Sequence, residues 1–321
     1  MNLSGPRTCL RALAPALLLA AAALPASAAP AARPGREALV VDAAWLRQHL
    51  ADPDLILFHV GQAEEYAEAH IPGARLVSMG DVSTGDHSHG HTEEGLMLEM
   101  PAADDLRQRL EALGVSDRSR VVVYWGNDWV SPATRVVFAL DHAGLGGHTR
   151  LLDGGLAAWK KAGGAVSKDV PAARKGTLAP LKTRPTIVDA EFVRAHLNTP
   201  GFAVVDGRDA VYYDGVETGG MKEHPHRTGH ITGALSVPFG EMVDDQNRLR
   251  SSAEWEALFT KAGVKAGDTV VGYCHIGQQA TAMLFAARAL GHPVLLYDGS
   301  FQDWSRHADF PVDNPSARAG R

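Results

Sequence analysis

One cysteine concentrates the chemistry of this sequence. The β-branched run Val270-Val271-Gly272-Tyr273 drives into Cys274, and His275-Ile276-Gly277-Gln278-Gln279 then leads into an alanine-rich stretch from Ala280 to Leu290. The pattern reads as strand, tight loop, helix. Loop amides and a helix N-terminus beside a thiol lower its pKa from about 8.5 and favour bound anions. A buried, inert cysteine at a strand end is the commoner arrangement. The cysteine count argues the other way. The second cysteine, Cys9, lies among Arg7 and Arg11, an apolar run from Ala12 to Leu24 and the close Ala26-Ser27-Ala28. A basic start, a short apolar core and an A-x-A end read as a secretory signal peptide over residues 1–28, too short to span a bilayer, which needs about 20 apolar residues. The mature protein is therefore expected to be exported, with the periplasm as its compartment, carrying Cys274 alone. An unpaired thiol in an oxidising compartment marks a reactive one.

The elements around Cys274 occur twice. His70-Ile71-Pro72-Gly73-Ala74 returns as His230-Ile231-Thr232-Gly233-Ala234. Val121-Val122-Val123-Tyr124 returns as Val270-Val271-Gly272-Tyr273 with the tyrosine in register. Leu152-Asp153-Gly154-Gly155 with Trp159 returns as Tyr297-Asp298-Gly299-Ser300 with Trp304. Three landmarks in one order at similar spacing predict a tandem duplication. The first copy is expected over residues 39–168 and the second over 185–315. Residues 169–184, polar with Pro and Gly and without periodicity, form the expected linker. In both copies short apolar runs such as "LILFHV" and "RVVVYW" alternate with amphipathic segments such as "ADDLRQRLEALGV", which Gly114 stops. The expected fold is α/β, each copy a parallel sheet with helices on both faces and its ligand beyond the carboxyl ends of the strands, where Cys274 lies. A formal net charge of −6 argues against nucleic acid or an anionic membrane as partner.

The paired H-I-x-G-A turns, the D-G-x-x-x-W ends and the cysteine loop resemble a two-domain rhodanese, the family of thiosulfate and 3-mercaptopyruvate sulfurtransferases. The resemblance covers nearly all of the mature chain. It implies two tandem rhodanese-like domains, with the nucleophile in the second and an inactive first copy, and Trp125 stands here where Cys274 has its match. It further implies that Cys274 takes the outer sulfur of a donor, holds it as a persulfide and passes it to cyanide or a thiol, small molecule or acceptor protein. The amides of His275, Ile276, Gly277, Gln278, Gln279 and Ala280 would cradle the anion, and neither metal nor organic cofactor is called for. Two departures bear on the donor. Thiosulfate users place basic residues just after the cysteine, where His275 and Ile276 stand, and mercaptopyruvate users place small polar ones. Arg208 matches a recurrent arginine that helps hold the structure, whereas Tyr212, four residues on, replaces a substrate-binding arginine and would deny a dianion one charge-assisted contact. Thiosulfate is favoured as the commonest assignment, with 3-mercaptopyruvate open.

Other chemistries fit less well. A cysteine phosphatase would need an arginine where Ala280 stands, and a thiol-disulfide oxidoreductase would need a second cysteine. A non-catalytic sulfur or selenium carrier is the main rival. His87, His89 and His91 alternate in an insertion that would suit a transition metal, although a solvated polar loop is the favoured reading. His224, His226 and Arg227 precede the second turn at His230, either lining the cleft near Cys274 or forming a surface loop. Asp206 and Asp298 are expected to cap turns and helices. Trp159 and Trp304 are expected in the core, and Trp125 either walls the cleft or packs inside.

Overall fold

The computed structural model describes residues 1–2, 35–84, 95–127, 129–172, 174–220 and 225–319. Cys9, the apolar run from Ala12 to Leu24, His87, His89, His91 and His224 lie outside them. Among the described residues no helix is long and apolar enough to cross a membrane.

The first half supplies β1 (Val40–Val41), β2 (Leu55–Val60), β3 (Arg75–Val77), β4 (Arg120–Trp125) and β5 (Thr149–Leu152). They pair in parallel in the order β1-β5-β4-β2-β3. The second half supplies β6 (Ile187–Val188), β7 (Phe202–Asp206), β8 (His230–Ile231), β9 (Leu235–Ser236), β10 (Thr269–Tyr273), β11 (Val294–Tyr297) and β12 (Val312–Asp313). Five of these repeat the arrangement as β6-β11-β10-β7-β9, while β8 pairs antiparallel with β12 at the side. The expected pair of parallel α/β sheets is therefore present. The described residues of 169–184 contain no helix or strand. They are nevertheless pinned to the first half, with the Leu178 N–H donating to Glu111 Oε1 at 3.0 Å and the Gly176 N–H to the Glu111 carbonyl at 2.7 Å.

Strand alternation sends neighbouring residues to opposite faces. Along β4, Val121, Val123 and Trp125 join one buried cluster and Val122 and Tyr124 another. Along β10, Val270 belongs to that same first cluster, as does Cys274 just beyond the strand, whereas Val271 and Tyr273 face away from it. The shared cluster runs through both halves by way of two helices, Val130–His142 and Ala280–Ala289. Each half keeps a separate apolar cluster on its outer face, and there Trp159 and Trp304 are buried as expected. Cys274 thus points into the core where the two halves meet.

The sequence repeat is carried by repeated hydrogen bonds. The Tyr124 hydroxyl accepts the Ile71 N–H at 3.0 Å, and the Tyr273 hydroxyl accepts the Ile231 N–H at 3.1 Å. Tyr66 donates to the Ala74 carbonyl and Tyr213 to the Ala234 carbonyl, each at 2.7 Å. Tyr66 stacks on His70 and Tyr213 on His230, which is why a histidine opens both turns. Asp42 and Asp189 cap equivalent helices by accepting the N–H groups of Trp45 and Phe192. Replacing Tyr124 with Phe removes the only acceptor that the buried Ile71 N–H has among the described residues. It should cost about 1–3 kcal/mol in urea unfolding, and an unchanged midpoint would show that the turn is held by something else.

Candidate active site

Cys274 is the first residue after β10 and has no solvent exposure. Its N–H donates to the Ser300 Oγ at 3.2 Å, and its carbonyl accepts the Phe301 N–H at 3.0 Å. From there the chain turns through His275 to Gln279 into the Ala280–Ala289 helix. The N–H groups of residues 275–280 meet no hydrogen-bond acceptor among the described residues. Successive N–H groups left without an acceptor, the last of them opening a helix, are the kind of donors that suit an anion. Gly277 sits at φ +80°, where a side chain would be strained, and a Cβ there would come within 2.8 Å of the Asp298 carbonyl oxygen.

Arg208 lies beneath this loop, almost wholly buried. Its Nε and Nη2 bind both oxygens of the buried Asp206 carboxylate at 2.6–3.1 Å, and Nη2 also donates to the Gly229 carbonyl at 2.8 Å. Asp206 additionally accepts the Arg208 N–H, so it closes a turn as expected and balances a charge as well. Nη1 bonds no described residue. The guanidinium therefore supports the site structurally and retains one pair of N–H donors.

His275 follows Cys274 directly. Burial, reinforced by the neighbouring Arg208 charge, pushes its pKa down to about 3, so the ring is neutral at physiological pH and supplies no cation. Its Nδ1 is buried without a hydrogen-bond partner, and the Tyr212 ring meets it edge-on with centroids 4.6 Å apart. Tyr212 thus reaches the loop, as a wall and not as a charge. Arg227 does not reach it: its Nη1 donates to the carbonyls of His307 and Phe310 at 3.1 and 2.7 Å. Of the histidines ahead of the turn, buried His226 lies 5.8 Å from the His275 ring, while His230 is held in its turn by the Tyr213 carbonyl. Among the described residues no group of three or more histidine, cysteine or carboxylate side chains is placed to hold a metal ion.

Two residues that sequence reasoning missed, and a third to which it gave another role, complete the picture. Ser300 adopts φ +53°, a conformation costing a non-glycine residue on the order of 1–3 kcal/mol, and from it supplies the hydroxyl that takes the Cys274 N–H. Its match in the first half is Gly155, at φ +54°, where any Cβ would fall 2.5 Å from the Trp125 carbonyl oxygen. The signal was available as Ser300 against Gly155 in the two aspartate-glycine turns. Glu65 matches Tyr212, each preceding the tyrosine that bonds its turn. Its Oε1 accepts the Asn127 N–H at 2.9 Å and lies 3.2 Å from His59 Nε2. In the first half the loop after Trp125 is thus filled by the chain's own carboxylate, and Trp125 itself is packed in the core. Asp298, expected as a cap, instead ties the halves together, taking Arg135 at 2.7 Å and the Met100 N–H at 2.5 Å.

Known proteins resemble this chain over most of its length. The rhodanese-like domain model matches residues 42–162 and again 189–307. Thiosulfate sulfurtransferase of Pseudomonas aeruginosa is 31% identical over 278 residues, 86% of this chain and 97% of that one. The 3-mercaptopyruvate sulfurtransferase of Escherichia coli is 29% identical over 290 residues, 85% of this chain and 97% of that one. A sulfur carrier protein of Thermus thermophilus is 26% identical over 288 residues, 85% of this chain and 96% of that one. Among solved structures EanB superposes with a TM-score of 0.75 at 22% identity, over 89% of this chain and 71% of that one, a likeness of fold. The chain belongs to the rhodanese-like sulfurtransferase family, as a tandem-domain member.

The strain at Ser300 and the bond it makes oppose each other, which separates two variants. Ser300→Ala keeps the strained backbone and orphans a buried N–H, so urea unfolding should show a loss of about 1–3 kcal/mol. Ser300→Gly relieves the strain and should recover much of that loss. Equal stability of the alanine variant and the wild type would contradict the assignment.

Proposed function

We propose that this protein moves a sulfane sulfur from a small donor, thiosulfate or 3-mercaptopyruvate, through a Cys274 persulfide to cyanide or a thiol. The observation that carries the reading is the placement of Cys274, buried at the end of β10 and followed by six N–H groups without an acceptor among the described residues. The Cys274 thiolate attacks the outer sulfur of thiosulfate, the sulfur–sulfur bond of the donor breaks, and sulfite leaves with the electron pair. With 3-mercaptopyruvate the carbon–sulfur bond breaks and the leaving enolate takes a proton to give pyruvate. The terminal persulfide sulfur is anionic, and the amides of residues 275–280 stabilise it. Cyanide or a thiolate then attacks that sulfur and the Cys274 thiolate departs, restoring the enzyme. Arg208 can offer positive charge to this chemistry through Nη1, whereas His275 is neutral. A neutral His275 and an aromatic wall at Tyr212 suit a monoanionic donor better than a dianion.

The first half, with Trp125 at the cysteine position and Glu65 in its loop, acts as a non-reacting partner in this reading. Residues 1–28 are proposed to direct export and to be removed. The likeness to a sulfur carrier supports a second reading, in which Cys274 is loaded and discharged only onto a partner protein.

Thiocyanate formation from cyanide with each donor in turn tests the proposal. Continuous turnover that is abolished by Cys274→Ser, with 3-mercaptopyruvate giving the higher kcat/KM, is expected. A single stoichiometric discharge without turnover would favour the carrier reading, and undiminished activity of the serine variant would refute both.

A further inference from the structure

Arg135 belongs to the half that lacks the nucleophile, on the Val130–His142 helix, and its side chain has no solvent exposure. Its Nη1 donates to Asp298 Oδ1 at 2.7 Å and to the Gly277 carbonyl, within the Cys274 loop, at 3.2 Å. Its Nη2 donates to the Leu98 carbonyl, whose residue sits at φ +56°. A trans peptide holds its C=O and the next N–H on opposite sides of the plane. Fixing the Gly277 carbonyl on the guanidinium therefore turns the Gln278 N–H away from Arg135 and keeps a carbonyl dipole from swinging toward the sulfur.

The contact is one-sided in an otherwise near-symmetric interface. Thr134 and Thr281, which hold matching places on the two helices, meet hydroxyl to hydroxyl at 2.9 Å. Asp298 takes the Met100 N–H of the first half, and Asp153 takes the Leu249 N–H of the second at 2.8 Å. One residue beyond Thr134 stands Arg135, but one beyond Thr281 stands Ala282. Asp153 is paired instead by Arg248 at 2.7 Å, from outside the matching helix. The helix-borne arginine occurs once, aimed at the loop that bears the cysteine.

We infer that Arg135 is a positioning residue for the Cys274 loop: the non-reacting half supplies the group that sets the orientation of the anion-binding amides. The inference rests on the proposed function where sulfur loading is the readout, but not where thiolate formation is. Arg135→Lys keeps the charge against Asp298 and cannot span three acceptors in one plane. Asp153→Asn weakens the mirror-related contact without touching the loop. The experiment compares both with wild type by thermal unfolding, by the pH midpoint of Cys274 alkylation with iodoacetamide, and by the rate of sulfur loading from 3-mercaptopyruvate. For Arg135→Lys we expect a midpoint raised by about one pH unit and loading slowed about tenfold. For Asp153→Asn we expect a lowered melting temperature with midpoint and loading within twofold of wild type. A wild-type midpoint in folded Arg135→Lys, or the same shift in Asp153→Asn, overturns the inference. Should wild type fail to load any sulfur, the proposed function fails, while the alkylation midpoints still decide the role of Arg135. Should Arg135→Lys fail to fold, Gly277→Ala reads the same peptide, and an unchanged alkylation midpoint there counts against the inference.

Discussion

A charged sulfur held away from water must have its hydration replaced by the protein, and this constraint organises the second half of the chain. Cys274 has no solvent exposure, so an ionised thiol or persulfide there depends on dipoles already in place. The six N–H groups after Cys274 are the natural source, and each remains available only while the loop is prevented from closing on its own carbonyls. Three features prevent it. Gly277 takes a left-handed conformation, Ser300 absorbs the Cys274 N–H, and the Phe301 and Gln302 N–H groups hold the carbonyls of Cys274 and His275 outward. The buried Arg208–Asp206 pair adds one balanced cation beneath. Removing either partner of such a pair leaves an uncompensated buried charge, at a cost of about 3–5 kcal/mol.

Duplication divides the work between the halves. Both keep the tyrosine–turn lock, the stacked histidine and the capping aspartate, the parts that make a stable sheet. They differ where chemistry is at stake. Trp125 with Gly155 fills the space that Cys274 with Ser300 leaves polar, and Glu65 places a carboxylate where the second half has the uncharged Tyr212 ring. His59 stands where the second half has Asp206, and burial lowers its pKa to about 4, so that position carries no charge at neutral pH. The first half has become the wall against which the reacting loop is set.

Much of this was legible in the residues. Periodicity and the repeated turns specify two parallel sheets, because β-branched alternation and fixed-spacing turns are local signals, and Cys274 stands out as a thiol at a strand end. The roles of Arg135, Asp298 and Ser300 were not legible, because each depends on which elements meet across the interface. The sequence leaves the charge of His275 open, and burial beside Arg208 makes it neutral. Arg227 reads as a site residue from its place in an insertion, yet its guanidinium ties down the carbonyls of His307 and Phe310.

The most direct test of the central claim is the mass of the intact protein after exposure to 3-mercaptopyruvate or thiosulfate, followed by cyanide, with peptide mapping of the added atom. The account predicts a gain of one sulfur on Cys274 that cyanide removes and that Cys274→Ser never acquires. A wild-type protein that turns over donor without ever carrying sulfur on Cys274 would contradict it.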